Sequence, residues 1–165
     1  LPATKKMVPP TYRDISLTDI PVVADKATVR ILSGCYQGIR GALNGSHARV
    51  TYLDITLPAG ILWSYEEAHN NETLFIYLLE GSLFPDPEQR SIEDKGCAIL
   101  YSVSAPGERT HEPVVVKAGA EGARFLLLAA SPLREPVAWG GPIVMNTHEE
   151  LRESFEELRN GTFIK

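Results

Sequence analysis

The chain has 165 residues, of which 44% are hydrophobic and 22% are charged, with 13 Gly and 12 Pro. This composition is typical of one globular domain and excludes a disordered chain, a collagen helix and a coiled coil. The 16 basic and 21 acidic residues give a formal charge of −5, which argues against direct binding to nucleic acid, because such binding needs a basic surface.

The first 25 residues contain Pro9, Pro10 and Pro21 and show no sustained apolar period. Because proline lacks a backbone N–H, we predict a linker or extended arm over residues 1–25 rather than regular structure. The chain begins at Leu1, with neither an initiator Met nor the apolar core of a signal peptide, so we expect a fragment or a processed product.

Short apolar segments alternate with turn residues through the middle of the chain. These segments are 28–32, 49–57, 74–79, 98–103, 113–117 and 124–129. In the second of them, Leu53, Ile55 and Leu57 share one face, as expected of a strand with one buried side. Each segment is bounded by Gly, Pro, Asn or Asp, and no helical pattern lies between them. We therefore predict an all-β domain, built as an antiparallel sandwich or barrel.

A helix is predicted over residues 148–160, closing one end of the barrel. Thr147 and Glu150 have the spacing of a capping box, and Gly161 supplies a left-handed stop. The apolar stripe of this helix consists of Leu151, Phe155 and Leu158.

The strand pattern invites comparison with the cupin barrel, whose first motif, G-x5-H-x-H-x3,4-E-x6-G, brings two histidines and a glutamate to one metal. Aligned on Gly81, the motif places Leu74 at the glutamate position, and leucine has no atom that binds a metal. The histidine positions fall on Ala68 and Asn70 with the shorter spacer, or on Glu67 and His69 with the longer one. We therefore predict a barrel that has lost its metal and is filled with Leu, Ile and Phe.

A metal site remains the alternative hypothesis. His111 ends a loose match, out of register by one residue, to the second cupin motif, P-x-G-x2-H. The alternative site would consist of His69, His111 and either Glu67 or Glu72. The favoured interpretation assigns no catalytic, cofactor-binding or metal-binding residue to this chain.

The remaining histidines and acids are given structural roles. His47 follows a turn and is predicted to be exposed, and His148 belongs to the start of the helix. The adjacent acids Glu66–Glu67 and Glu156–Glu157 point in diverging directions, so a solvated surface explains them better than a catalytic carboxylate pair.

The cysteines and tryptophans are likewise assigned to packing. Cys35 and Cys97 lie far apart in strand-like contexts and are predicted to be two buried thiols rather than a disulfide or reactive pair. Trp63 and Trp139 are interpreted as anchors of the core or of an interface rather than as a ligand-stacking platform.

Residues 132–147 have the sequence Pro-Leu-Arg-Glu-Pro-Val-Ala-Trp-Gly-Gly-Pro-Ile-Val-Met-Asn-Thr, which closely resembles the C-terminal signature of the pirin family. The match continues through the helix to residues 159–165. Residues 1–12 resemble the family's interdomain linker, and residues 52–60 resemble its central strand. The resemblance thus covers nearly the whole chain.

The resemblance implies two stacked cupin barrels, with iron held by three His and one Glu in the N-terminal one. Residues 26–165 would then be the C-terminal barrel, a cupin-type jelly roll that carries no cofactor and has the N-terminal cupin domain of the same polypeptide as its partner. Members are described as quercetin 2,3-dioxygenases and as regulators that bind transcription factors or metabolic enzymes. We expect a structural or protein-interaction role, with half of a quercetin 2,3-dioxygenase as the alternative.

Three further expectations concern local contacts, self-association and location. Arg134 and Glu135 are predicted to orient the chain toward the helix, with the planar guanidinium suited to a fixed bidentate contact. An isolated half should expose an apolar face and self-associate. The longest apolar run, Phe125 to Ala130, is far below the ~20 residues that cross a bilayer, so we expect no membrane association and a cytoplasmic, or in a eukaryote also nuclear, location.

Overall fold

A computed structural model describes residues 1–43, 45, 47–66, 73–86, 88, 91–101 and 113–163. These residues form twelve strands and one α-helix. The first strands are β1 Val22–Ala24, β2 Thr28–Ser33, β3 Cys35–Tyr36, β4 Ile39–Arg40, β5 Val50–Leu57 and β6 Leu62–Tyr65. The others are β7 Thr73–Phe84, β8 Glu93–Asp94, β9 Ala98–Tyr101, β10 Val114–Ala130, β11 Ala138–Gly140 and β12 Ile143–Met145, followed by α1 His148–Asn160. All named strands pair antiparallel, which confirms the predicted fold class.

The main sheet has the order β1-β2-β5-β10-β7-β8, with β6 also paired to β10 and β9 to β7. Strand β10 changes partners along its length, since its first residues pair with β6 and its last eight pair with β5. Two separate strands were predicted over 113–117 and 124–129, and this is wrong because the small residues between them continue the strand through a bulge opposite β7.

The core lies on the inward face of the long strands. Alternate positions of β5 and β10 are almost fully buried, as the period of a strand with one covered face requires. The largest of these side chains come from four strands and include Ile31, Leu53, Ile55, Ile76, Leu78, Phe125 and Leu127.

Residues 1–25 contain more regular structure than predicted. Val22–Ala24 pairs with β2, at the edge of the main sheet. A strand is compatible with Pro21 because the proline lies just before it and uses its carbonyl oxygen, which accepts a hydrogen bond from the Ile31 N–H at 2.9 Å. The predicted domain boundary at residue 26 is not tested by this pairing.

The chain divides into two compact units, Ile15–Pro132 and a second unit formed by Leu1–Asp14 with Leu133–Lys165. The first contains the main sheet, and the second contains the β11–β12 hairpin and α1. The predicted helix bounds and capping box are confirmed, and Gly161 has the left-handed φ of 72°. Within the described ranges, no helix is both long and apolar enough to cross a membrane.

Candidate functional site

Hydrocarbon side chains occupy most of the inward positions of the long strands. Members of four strands have 0–3% of their surface exposed. They are Val29, Ile31, Leu53, Ile55, Leu57, Leu74, Ile76, Leu78, Phe125 and Leu127. None of these side chains carries an oxygen, nitrogen or sulfur atom, so these positions do not fit a metal ion.

The metal-site hypothesis concerns residues elsewhere. Leu74, at the glutamate position of the cupin motif, is buried on β7. His69, His111, Glu67 and Glu72 lie outside the described residues. Within the described part of the chain no three His, Cys, Asp or Glu side chains form a group able to hold a metal. The alternative site therefore stays a prediction.

An aromatic cluster surrounds Trp63, which is 6% exposed, as predicted for a core anchor. The ring centroids of Tyr36 and Tyr65 each lie 6.2 Å from that of Trp63, and Phe125 meets it edge-on at 5.8 Å. The Trp63 indole N–H donates to the Tyr36 hydroxyl at 3.1 Å. Beside this cluster lies an open cavity of about 230 Å³, lined by residues of β1, β2, β6 and the β3–β4 turn.

The outward face of the main sheet carries a charged network centred on Arg124. Its Nε and Nη2 atoms donate to the two carboxylate oxygens of Asp54 at 3.0 and 2.9 Å, and its Nη1 donates to Glu80 Oε1 at 3.2 Å. Hydrogen bonding to Asp54 and the charge of that carboxylate, with a smaller part from Glu80, raise the pKa of Arg124 above its usual range. The bidentate pair links β5 to β10.

Next to this network the same outward face becomes apolar. One cross-strand row consists of Tyr52, Leu128, Phe75 and Leu100, in register on β5, β10, β7 and β9. The row beside it contains Leu126 and Tyr77. We call these six residues the apolar sheet face. Leu100 is 65% exposed and Tyr77 40%, whereas the other four are half-buried.

The second unit is held together by hydrogen bonds to Glu135. Its Oε2 accepts from the Ala3 N–H at 2.8 Å and from Asn146 Nδ2 at 3.3 Å, just before α1, so its predicted orienting role agrees with the geometry. The bidentate contact predicted for Arg134 is not found among the described residues. Arg134 is exposed with a φ of 54°, and its guanidinium makes no hydrogen bond or ion pair to any residue that the structure describes.

Three predictions about the other residues are confirmed and two need correction. His47 is exposed, His148 begins α1, and the two acid pairs are exposed or half-buried wherever the structure describes them. Cys35 is not buried but exposed, because β3 is a two-residue strand outside the main sheet, while Cys97 is half-buried. Trp139 is 75% exposed on the β11–β12 hairpin, so the core alternative is wrong for this residue and its role as an interface anchor stays a prediction.

Sequence reasoning missed both the Arg124 network and the apolar sheet face. A signal for each was present. Asp54 is a charged residue within one apolar segment, and Arg124 is a charged residue at the start of another. Opposite charges at outward positions of two predicted strands are a signal for an ion pair between them. The run from Phe125 to Ala130 is apolar without alternation, which is typical of a strand covered on both faces.

The chain is similar to known proteins over most of its length. A sequence model described as the pirin C-terminal cupin domain matches residues 52–164. The chain is 33% identical to pirin from Mus musculus over 160 residues, covering 95% of this chain and 52% of that protein. It is 32% identical to a pirin-like protein from Caulobacter vibrioides, covering 99% of this chain and 56% of that protein.

Among solved structures, a crystal structure of quercetin 2,3-dioxygenase from Acinetobacter baumannii matches with a TM-score of 0.82 and 29% identity. The match covers 99% of this chain and 54% of that one. The chain thus spans about half the length of the relatives it matches, and its fold is that of a cupin domain.

Proposed function

This chain belongs to the pirin family through its C-terminal cupin domain, and on that premise we propose that it is a non-catalytic barrel that docks a metal-bearing cupin barrel of the same polypeptide. The pair would present a surface for regulatory protein partners. The relatives are about twice as long as this chain, which leaves room for a companion barrel of similar size.

The observation that carries the proposal is the apolar sheet face. An antiparallel sheet with one solvated face alternates apolar and polar side chains, whereas here Phe75, Leu126 and Leu128 point outward from central strands. Two sheets bury such faces by packing about 10 Å apart with aligned strands. A companion cupin barrel offers a sheet of that kind, and the Arg124 network would lie at the polar rim.

The hydrocarbon interior supports the non-catalytic part of the proposal. A cupin reaction site needs ligand atoms that point into the barrel, and the described inward positions of β2, β5, β7 and β10 are apolar except for Ser33, whose hydroxyl donates to the Val50 carbonyl. Any metal chemistry of the whole protein would then belong to the companion barrel.

The docking face is tested first on this chain alone. With the face uncovered, we expect concentration-dependent self-association in sedimentation equilibrium, weakened at least about tenfold by Leu100→Glu, because a charge would be buried against the apolar surface of the second copy. Leu17→Glu is the matched control, since Leu17 is 81% exposed and belongs to the short 3-10 turn Leu17–Asp19, not to the strands that form the sheet face. A strictly monomeric chain at high concentration would contradict the exposed-face argument.

The choice of occupant is tested in the polypeptide in which a second cupin barrel precedes this domain. There, Leu100→Glu should separate the barrels and increase the radius of gyration in small-angle scattering, while Leu17→Glu leaves it unchanged. If Leu100→Glu abolishes self-association of the longer protein but leaves the two barrels together, the face joins two copies and the proposal is wrong.

A second candidate function is favoured by the match to the Acinetobacter baumannii quercetin 2,3-dioxygenase. In that case this chain is the non-metal half of a flavonol-cleaving enzyme. Oxygen uptake with quercetin separates the two. Activity confined to the two-barrel polypeptide supports the enzyme, inactivity of both forms supports the regulator, and activity of this chain alone would overturn the non-catalytic assignment.

A further inference from the structure

The cavity beside Trp63 has the features of a small-molecule site that is independent of the apolar sheet face. Its volume is about 230 Å³. The lining combines aliphatic side chains of Val23, Val29 and Leu62 with the rings of Tyr36 and Trp63, and the other lining residues are Asp25, Lys26, Ala27, Gln37 and Ser64. A cavity of roughly 150 Å³ accommodates benzene, so this one has room for a molecule of one or two fused rings.

The aromatic part of the lining is held rigid. Trp63 and Tyr36 are each 6% exposed and are joined by the indole-to-hydroxyl hydrogen bond of 3.1 Å. The Gln37 side-chain amide donates to the same hydroxyl at 3.3 Å. Rings fixed in this way lose little conformational entropy when a ligand binds.

The β3–β4 turn that supplies Gln37 also supports a ligand site at this cavity. Gln37 and Gly38 form the two-residue loop between β3 and β4, with φ of 50° and 76°. Asn, Asp or Gly is preferred at the first of these positions, because the left-handed region is unfavourable for a longer side chain. Gln37 adopts this unfavourable left-handed conformation at the position from which its amide reaches the Tyr36 hydroxyl, at the edge of the cavity.

The charged residues that line the cavity balance each other. Asp25 and Lys26 are adjacent, exposed and of opposite sign, so their charges sum to zero at neutral pH. We propose that this cavity, hereafter the Trp63 pocket, binds a neutral, flat aromatic molecule of one or two rings that carries a hydrogen-bonding group. Offset or edge-on ring contacts with Trp63 and Tyr36 favour such a ligand over an aliphatic one of equal size.

The two tryptophans make the test direct, because each contributes one indole N–H signal to a ¹⁵N-correlated NMR spectrum and Trp139→Phe assigns them. Indole is the probe. We expect saturable shifts of the Trp63 signal, half-complete at about 1 mM or lower, with no shift of the Trp139 signal. Phenol should bind as well, and cyclohexanol, which has the same number of heavy atoms as phenol, should bind about fivefold more weakly than phenol because it lacks the ring contacts.

A pair of variants on one strand provides the control. Val23→Phe fills the pocket and should weaken indole binding at least about tenfold, since the added ring occupies the ligand's volume. Val22→Phe adds the same ring at a neighbouring residue of β1 that does not line the pocket, and should change little. Should Val23→Phe unfold the chain, saturation transfer from the methyl protons of Val23, Val29 and Leu62 to indole is measured in the unmodified protein.

The proposal is wrong if the Trp63 signal does not move at ~10 mM indole, if saturation transfer is absent, or if both valine variants bind alike. Equal binding of cyclohexanol would overturn the aromatic ligand class. None of these outcomes depends on whether a companion barrel docks on the sheet face.

Discussion

Arg124 shows how a single side chain joins the strands of this sheet. It lies on β10, where its planar guanidinium meets both oxygens of Asp54 on β5 and reaches Glu80 on β7. The Asp54 side chain is only 11% exposed, whereas those of Arg124 and Glu80 are 39% and 69% exposed. Loss of Arg124 would therefore leave the Asp54 carboxylate poorly solvated, whereas the Glu80 carboxylate would stay in contact with water.

Replacing Arg124 by Ala should lower the free energy of unfolding by about 2 kcal/mol, less than for a fully buried pair because the guanidinium is partly solvated. Arg124→Lys should recover only part of the loss, since an ammonium group cannot make the bidentate contact. Urea denaturation measures both. Glu80→Gln is the control, with an expected change of about 0.5 kcal/mol or less. A similar loss for Glu80→Gln and Arg124→Ala would show that the bidentate geometry has no special weight.

The raised pKa of Tyr101 predicts that the chain loses stability at high pH. Burial, with a smaller effect of the Asp86 charge, raises its pKa from 10.0 to about 12, and its hydroxyl donates to the Pro85 carbonyl at 3.1 Å. The folded state therefore holds this proton more tightly than the unfolded state. The stabilisation is complete below pH 10 and is lost as the pH rises toward 12.

The measurement compares the chain with Tyr101→Phe. The stability advantage of the wild-type chain should shrink between pH 10 and pH 12, by at most about 2 kcal/mol. The difference in absorbance at about 295 nm between the two chains should show one tyrosine that ionises near pH 12, a signal that the variant lacks. A constant difference in unfolding free energy over this pH range would contradict the assignment.

At the scale of elements, the bulge where β10 passes β7 is shaped by glycine. Gly81 and Gly122 both have left-handed φ, of 70° and 82°. A Cβ at Gly81 would collide with the carbonyl oxygen of Gly122. The two backbones approach so closely that the register shift between these strands has no room for a side chain.

Gly81→Ala should therefore destabilise the chain by more than about 3 kcal/mol, because backbone strain and the collision add together. Gly96→Ala is the matched control, since Gly96 also has a left-handed φ, of 89°, but no atom lies within 4 Å of its added Cβ. There we expect only the backbone strain, about 1–2 kcal/mol. Thermal unfolding of both variants measures the difference. Equal losses would mean that close approach contributes nothing.

At the scale of the whole molecule, the two units differ in how much they bury. The main-sheet unit contains the hydrophobic core cluster, whereas the buried residues of the other unit are only Ala138, Ile143 and Ser154 among those the structure describes. Local stability follows the density of buried apolar contacts. The hairpin and α1 should therefore open more readily than the central strands.

Hydrogen exchange tests this expectation. Amides of α1 should exchange at least about 100-fold faster than those of β5 and β10. Thr147→Ala, which removes the observed cap, should accelerate exchange in α1 further by about fivefold and leave the central strands unchanged. Uniform protection across both units would show that they unfold together.

Much of the fold follows from local patterns that can be read directly in the sequence. Alternation in 49–57 predicts a strand with Leu53 and Ile55 inside, because side chains in a strand alternate between faces. The Thr147 and Glu150 pair predicts the start of α1, since the capping contacts span only three residues. The family signature at 132–147 predicts the cupin domain that the comparisons establish.

The candidate sites depend on contacts across strands that are distant in sequence. Arg124 and Asp54 are 70 residues apart, and Trp63 and Tyr36 are 27 apart, so no local pattern pairs them. The same applies to Cys35 and Trp139, whose exposure depends on short strands outside the main sheet. The sequence by itself determined α1, most of the strands and the apolar inward face, because periodicity and capping act within a few residues. Only the tertiary structure decided which outward residues became neighbours, because strand order and register bring distant segments together.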